Sequence, residues 1–457
     1  MPPSVASLVF TAAIVSLFVW DWRLNGKTSS ALAIPALFMF VVASRPVSIW
    51  IGGPVWSAAN DLSEGSPLDA TFYLVLQLLA AFVLIRRAKK VQVLLRAAWP
   101  LLVFLGYCLL SLTWSDFPFV ALKRWVKIVG DAMMVLVVAT DSSPVTAVKR
   151  FIAWPGFVLI PLSVLFIKYY PELGHGYDAW TGAQYFQGVS YNKNGLGVIC
   201  LYWGIGYAWI LIESLRQWRK NRSSIVLTTV FVGICIWLLL LSDSKTSLAC
   251  FVIAITMLSI SKLLYIRTRP VLIHLIVLLM LLVPAAVLFL GVSPSAIEAI
   301  GRDSTLTDRT LLWEEIFSLR VNPIVGAGYE SFWLGDRLRK LWGVFWWRPT
   351  QSHNGYIEMY INLGLIGLGL LAAVLYRGYL RTIAAVHRQE VCSGLFLAFI
   401  VATIPYNFTE AAYRLQNVPW VFSLLAVVGL PLIEAGKQVA SVRMQWMVPA
   451  RASVVRE

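Results

Sequence analysis

Three cations enter one apolar segment together, in Phe117-Pro118-Phe119-Val120-Ala121-Leu122-Lys123-Arg124-Trp125-Val126-Lys127. Lys123 and Lys127 are four residues apart and share a helix face, with Asp131 one turn further on as a partner for Lys127. Cations inside a membrane are costly and usually face a polar cavity, so the trio reads as a site for a negatively charged group. Snorkelling to lipid headgroups is the other reading. Lys193, in Asn192-Lys193-Asn194, and Lys245, in Ser244-Lys245-Thr246, each open a further segment, where helix-terminal amides add to the attraction for anions. Arg302 and Arg309 follow in Gly301-Arg302-Asp303-Ser304-Thr305-Leu306-Thr307-Asp308-Arg309. Guanidinium groups grip diphosphate oxygens in bidentate fashion, which suits an anionic lipid carrier better than a neutral sugar. Pairing with Asp303, Asp308, Glu314 or Glu315 is the alternative. His353, in Gln351-Ser352-His353-Asn354-Gly355-Tyr356-Ile357-Glu358, sits beside a predicted helix start, a carboxylate and the loop arginines. An imidazole there would hydrogen-bond phosphate or take a proton from an attacking hydroxyl. His175, His274 and His387 lie in a Gly-rich loop, an apolar span and a basic loop, without that setting.

The elements that must position these groups are membrane helices. The chain has 457 residues, 59% of them hydrophobic and 13% charged, with mean hydropathy +0.73, more apolar content than a soluble core can bury. Apolar runs centre near Thr11, Leu37, Leu76, Phe104, Leu136, Val158, Tyr202, Phe231, Ala254, Leu279, Ile366, Phe399 and Leu425. At roughly 20 residues per crossing, they predict an all-α, polytopic transmembrane protein with about 12 to 13 spans in one integral membrane domain over 1–457. The first run, Val5 to Trp20, lacks a basic n-region and a cleavage site and reads as a retained span. The basic breaks Arg86 to Lys90, Arg216 to Arg222, Lys262 to Arg269 and Arg377 to Arg388 fall on one face if the spans alternate, and the positive-inside rule makes that face cytoplasmic. The loops Lys168 to Tyr191, 291–352 and Asn407 to Gln416 then lie outside.

Loop 291–352 is too long for a connector and should carry structure and function. Thr307 is its predicted helix N-cap, Leu311, Leu312, Ile316 and Phe317 an apolar stripe, and Asn322-Pro323 with Gly326-Ala327-Gly328 the stop. Trp333, Trp342, Trp346 and Trp347, with Tyr329 and Phe332, suit either sugar rings or a membrane-interface belt. The five cysteines show no metal-ligand spacing or pairing and read as packing residues. The net charge of +15 lies in short breaks between spans, which points to topology and inner-leaflet lipid and away from nucleic acid.

At the long loop and the helix that follows it, the sequence resembles the O-antigen ligase and O-antigen polymerase superfamily of bacterial envelope proteins, exopolysaccharide polymerases included. The likeness rests on Gly301-Arg302-Asp303, Thr305-Leu306-Thr307-Asp308-Arg309, Trp313, Pro323 with Gly326-Ala327-Gly328, and above all His353-Asn354 followed by Gly364-Leu365-Ile366-Gly367-Leu368-Gly369. Asn192-Lys193-Asn194 and Ser244-Lys245-Thr246 also fit, so it spans about Lys123 to Trp420. Asp308 replaces an expected glycine, and Leu368 stands where ligases often have threonine, which leans towards an exopolysaccharide-type polymerase.

The resemblance implies a GT-C-like membrane glycosyltransferase of the bacterial inner membrane, with its active site facing the periplasm. It would transfer a saccharide from undecaprenyl diphosphate to a hydroxyl of a growing glycan or of lipid A core, with no cofactor and no metal. Positive charge would stabilise the leaving diphosphate. On this view Arg302 and Arg309 hold the diphosphate, helped by Lys123, Arg124, Lys127, Lys193, Lys245 and Asn354. His353 orients it or activates the acceptor, and Glu358 or Glu410 is a further candidate base. Membrane lipids and other polysaccharide export and assembly proteins are the remaining expected partners. An O-antigen ligase is the rival within the class, and a polysaccharide-lipid flippase or secondary transporter the rival outside it.

Overall fold

The computed structural model describes residues 1–24, 28–52, 65–263, 268–289 and 305–429. In chain order its helices are α1 (Pro3–Leu24), α2 (Ala33–Ala43), α3 (Val47–Trp50), α4 (Pro67–Arg86), α5 (Ala88–Ala97), α6 (Trp99–Leu110), α7 (Pro118–Ala139), α8 (Pro144–Tyr169), α9 (Pro171–Gly174), α10 (Lys193–Leu215), α11 (Arg222–Leu241), α12 (Lys245–Ile260), α13 (Pro270–Phe289), α14 (Thr305–Ser318), α15 (Gly335–Val344), α16 (Gly355–His387), α17 (Ser393–Tyr406) and α18 (Val418–Gly429). Every apolar run named from the sequence falls on one of them. Among the described residues six helices are long and apolar enough to cross a membrane, and α5 with α6, bent by 88°, makes a seventh if the pair is one span. The remaining apolar helices, such as α2, α12, α17 and α18, are shorter. The chain is thus an all-α, polytopic membrane protein. Among the described residues the strands are a single antiparallel pair, β1 (His175–Tyr177) and β2 (Gln184–Phe186).

Side chains tie the two ends of the bundle differently. At one end the basic breaks meet: Lys262 pairs with Glu213 at 2.7 Å, Arg377 donates to the carbonyl of Ala97 at 3.1 Å, and Arg87 lies 3.7 Å from Asp141. At the other end the loops after α8, α15 and α17 converge. The five cysteines are free and buried in the packing between helices.

Residues 305–352 form a cap over that second end. α14 runs from Thr305, so Thr307 lies within its first turn and not before it, a difference of two residues at a helix start. Of the expected stripe, Leu312 and Ile316 are buried while Leu311 and Phe317 are half exposed. The buried pair joins Phe332, Trp333, Leu338, Leu341 and Ile361 in a small core of its own, which α15, unforeseen from the sequence, completes. Segment 291–304, the first part of the expected loop, lies outside the described residues.

The cap is fastened to α16 where that helix breaks. Gly364 has φ 64° and ψ −164°, a conformation essentially open to glycine alone. The break frees main-chain groups, and the Pro323–Gly328 segment takes them up. Leu365 N–H donates to the Pro323 carbonyl at 2.9 Å and Ile366 N–H to that of Ile324 at 3.2 Å. Ala327 and Gly328 N–H groups donate in turn to the carbonyls of Ile361 and Asn362, at 2.9 and 2.8 Å. A Cβ at Gly364 would stand 2.2 Å from the Ile324 carbonyl oxygen. Gly364→Ala is therefore expected to destabilise the protein by about 3 kcal/mol, whereas Gly369→Ala, which meets open space, should melt like the parent. Equal melting temperatures for the two variants in nanodiscs would refute this account of the break.

Candidate functional site

The site is built around Asn407, at the end of α17. Its side chain donates to the Thr403 carbonyl at 2.8 Å and accepts from the main-chain N–H groups of Ala412 and Tyr413, both at 2.9 Å, which folds 407–413 into a tight turn. That turn lies flush on the start of α16 because Gly355 has no side chain: a Cβ there would sit 2.0 Å from Asn407 Oδ1. Gly355 N–H donates to the Asn407 carbonyl at 2.8 Å. Asn354 caps α16, accepting from the N–H groups of Tyr356 and Ile357, while its amide donates to the Phe408 carbonyl at 3.0 Å.

Two helix starts and a turn therefore bring distant residues together. Glu410, on the turn, accepts from the Asn194 amide of α10 at 2.9 Å. Arg309, on α14, lies 3.6 Å from Glu410 and donates to the Thr409 carbonyl at 2.7 Å. His353 Nδ1 lies 3.8 Å from the other Glu410 oxygen and has no hydrogen-bond partner among the described residues. His353 also holds φ 55°, a conformation uncommon for a residue with a side chain and typical of functional loops. By contrast His175 contacts the Ile167 carbonyl at 2.9 Å and His274 the Tyr379 hydroxyl at 2.8 Å. His353, Glu410, Asn192, Asn194 and Gln351 line a cavity of about 190 Å³.

A larger cavity of about 820 Å³ adjoins it, sharing Gln351, Ala411 and Asn417. Lys123, Arg124 and Lys127 line it from α7, and Arg414 and Glu330 from the loops. The Arg414 guanidinium holds both Glu330 oxygens, at 3.2 and 2.8 Å, and Arg124 donates to the Glu330 carbonyl. Burial pushes the Glu330 carboxyl up, but Arg414, by charge and hydrogen bond, together with Arg124 outweighs it and holds the group below the usual glutamate range. Among the described residues that line this cavity, four cations stand against one carboxylate, which Arg414 already neutralises, and the balance suits the space to an anion.

The residues named from the sequence divide accordingly. Lys123, Arg124 and Lys127 share the larger cavity, and His353 and Glu410 the smaller, with Arg309 beside Glu410. Asp131, expected to pair with Lys127, instead accepts from the Gln416 main-chain N–H at 2.9 Å. Lys193 and Lys245 line neither cavity. Lys193 lies 3.9 Å from Asp243, and Lys245 is exposed at the first residue of α12. Glu358 is buried, accepting from the Trp333 indole at 3.0 Å and from the Ser352 N–H, and lines neither cavity. Arg302 lies outside the described residues. Sequence reasoning missed Arg414, Glu330, Asn194 and Gln351. The only signal for Arg414 and Glu330 was that each is a charge in a loop on the expected outer side.

Residues 230–372 match the O-antigen ligase family. The match runs from within α11 to within α16 and so takes in Arg309, His353 and the Gly364 break, while Lys123, Glu410 and Arg414 lie beyond it. Over 322 residues the chain is 26% identical to the exopolysaccharide production protein ExoQ of Rhizobium meliloti (strain 1021), covering 64% of this chain and 68% of that protein. Both findings agree with the likeness carried by His353-Asn354 and the glycines after it: the chain resembles the O-antigen ligase and O-antigen polymerase superfamily, a membrane family of polysaccharide biosynthesis.

Proposed function

We propose that this protein is a metal-independent polymerase of surface polysaccharide, transferring glycan from undecaprenyl diphosphate to the hydroxyl of a second glycan at the periplasmic face of the bacterial inner membrane. The observation that carries the reading is the pair of adjoining cavities, one cationic and one holding His353 against Glu410. Lys123, Arg124 and Lys127 receive the diphosphate, and Arg309 and Arg302 complete its neutralisation. The acceptor hydroxyl attacks the anomeric carbon, the bond to the diphosphate breaks, and undecaprenyl diphosphate leaves as an anion. The hydroxyl proton passes to His353, whose imidazolium Glu410 stabilises and orients, in the way a carboxylate serves a catalytic histidine elsewhere. Glu358 and Asn354 act as positioning residues for the 351–355 turn. Lys193 and Lys245 draw the anionic donor towards the site.

The named function of the Rhizobium relative favours exopolysaccharide over a lipid A core acceptor. Purified protein in nanodiscs, given undecaprenyl diphosphate oligosaccharide alone, is expected to yield longer glycans and free undecaprenyl diphosphate. Movement of the lipid across liposomes with no new glycosidic bond would overturn the proposal in favour of a flippase. Within the class, a deletion strain is expected to accumulate single repeat units; polymer stranded on the carrier lipid would mark a ligase instead.

A further inference from the structure

We infer that Trp180, at the tip of the β1–β2 hairpin, and Trp346, in the turn after α15, form a glycan-binding platform that leads into the His353 cavity. This rests on the polymerase reading for the identity of the glycan. The two indoles come from loops far apart in the chain yet meet edge to face with ring centres 5.4 Å apart, and Trp347 lies 6.0 Å from Trp180. Trp347 is in turn 6.2 Å from the His353 ring. The aromatic surface is therefore continuous with the site.

Its rings are unusually bare. Trp180 is 56% exposed, Trp346 65% and Tyr177, on the same hairpin, 71%. By contrast Trp333 and Phe332, in the same cap, are fully buried. An interface belt places its rings at the ends of spanning helices; these lie on a hairpin and a turn, and polar Thr181 and Gln184 share the exposed hairpin surface. Flat ring faces beside hydroxyl and amide groups suit a sugar, whose C–H face stacks while its hydroxyls hydrogen-bond.

Both supports are held in place. Arg45 fastens the base of the hairpin from outside, donating to the Leu173 carbonyl at 2.6 Å and to that of Ser190 at 3.2 Å. The main-chain N–H of Gln187 and of Gly188 bonds the Gly174 carbonyl, at 2.9 and 3.1 Å. The Trp346 turn is closed by Arg348 N–H on the Phe345 carbonyl at 3.0 Å and by the Trp342 indole on that of Pro349 at 2.9 Å. Little ordering remains to be done on binding, which favours affinity for a flexible chain.

The test uses soluble oligosaccharides of one, two and three repeat units, cut from the producing strain's own polysaccharide and free of lipid and phosphate. Saturation-transfer NMR on the nanodisc protein measures their binding with no donor present. Trp180→Ala and Trp346→Ala are each expected to weaken the three-unit fragment roughly five- to tenfold and to shorten the polymer made. Trp180→Phe should recover most of the affinity, and Trp218→Ala, whose exposed ring is at the opposite end of the bundle, should leave both readouts unmoved. Unchanged affinity in both alanine variants would overturn the platform. A wild-type protein that binds the fragments yet forms no glycosidic bond would sink the polymerase reading alone.

Discussion

His353→Ala is expected to lower glycan transfer by roughly 10²- to 10⁴-fold, the range general-base removal commonly gives. The group removed lines the smaller cavity and turns Nδ1 towards Glu410, 3.8 Å away. Its removal should lower kcat far more than it raises KM, because the proton is taken only as the hydroxyl attacks. Folding should hold, since the turn is fixed by hydrogen bonds of Asn354 and Ser352 that do not involve the imidazole. Initial rates of polyprenyl-diphosphate release, with melting temperature as control, decide the matter. A variant that keeps wild-type kcat would transfer the base role to Glu410, and then Glu410→Gln should show the loss.

The second large effect is on stability. Arg414→Ala is expected to cost about 3 kcal/mol, because breaking a buried pair leaves its partner's charge uncompensated. The Glu330 side chain is only 6% exposed and receives two hydrogen bonds from Arg414. In the wild type the Glu330 carboxyl is held below the usual glutamate range, so the stabilisation is complete above the unfolded pKa of about 4.3 and is lost as pH falls through the lower folded value. In Arg414→Ala burial is opposed only by the smaller effect of Arg124 and raises that pKa, so the variant recovers by protonation on acidification. The melting-temperature gap between the two proteins should accordingly narrow from pH 7 to pH 4.5. Adding Glu330→Gln to Arg414→Ala should restore much of the loss at pH 7; a double variant as unstable as Arg414→Ala would show that the carboxylate is not the cause.

Helices and the gathering of cations were legible because they follow from composition and short spacing. Lys123 and Lys127 share a face by helical period alone, and His353-Asn354-Gly355 announces a helix start. The Glu330–Arg414 pair was not legible, since it joins two irregular loops through tertiary packing and neither residue is unusual where it stands. Glu358 stood out as a carboxylate one turn from His353, but the start of α16 turns it inward beneath Trp333. Lys193 and Lys245 looked equivalent to the α7 cations, yet line neither cavity: at both helix starts the neighbouring residue meets the turn, Asn194 at Glu410 and Thr246 at Thr409, while Lys193 lies 3.9 Å from Asp243. α15 escaped notice because Gly335-Asp336-Arg337-Leu338-Arg339-Lys340 is polar and short, and its two buried leucines count only once the cap has its own core.

The seam at Gly364 also bears on how such proteins diversify. At the break, atoms common to every amino acid hold the cap to its helix, so this attachment sets no demand on which side chains the exposed surface of 335–350 displays. Mutation can then reshape the displayed surface to suit a new sugar while the attachment beneath stays intact. Descendants recognising different polymers would differ there and share the glycine.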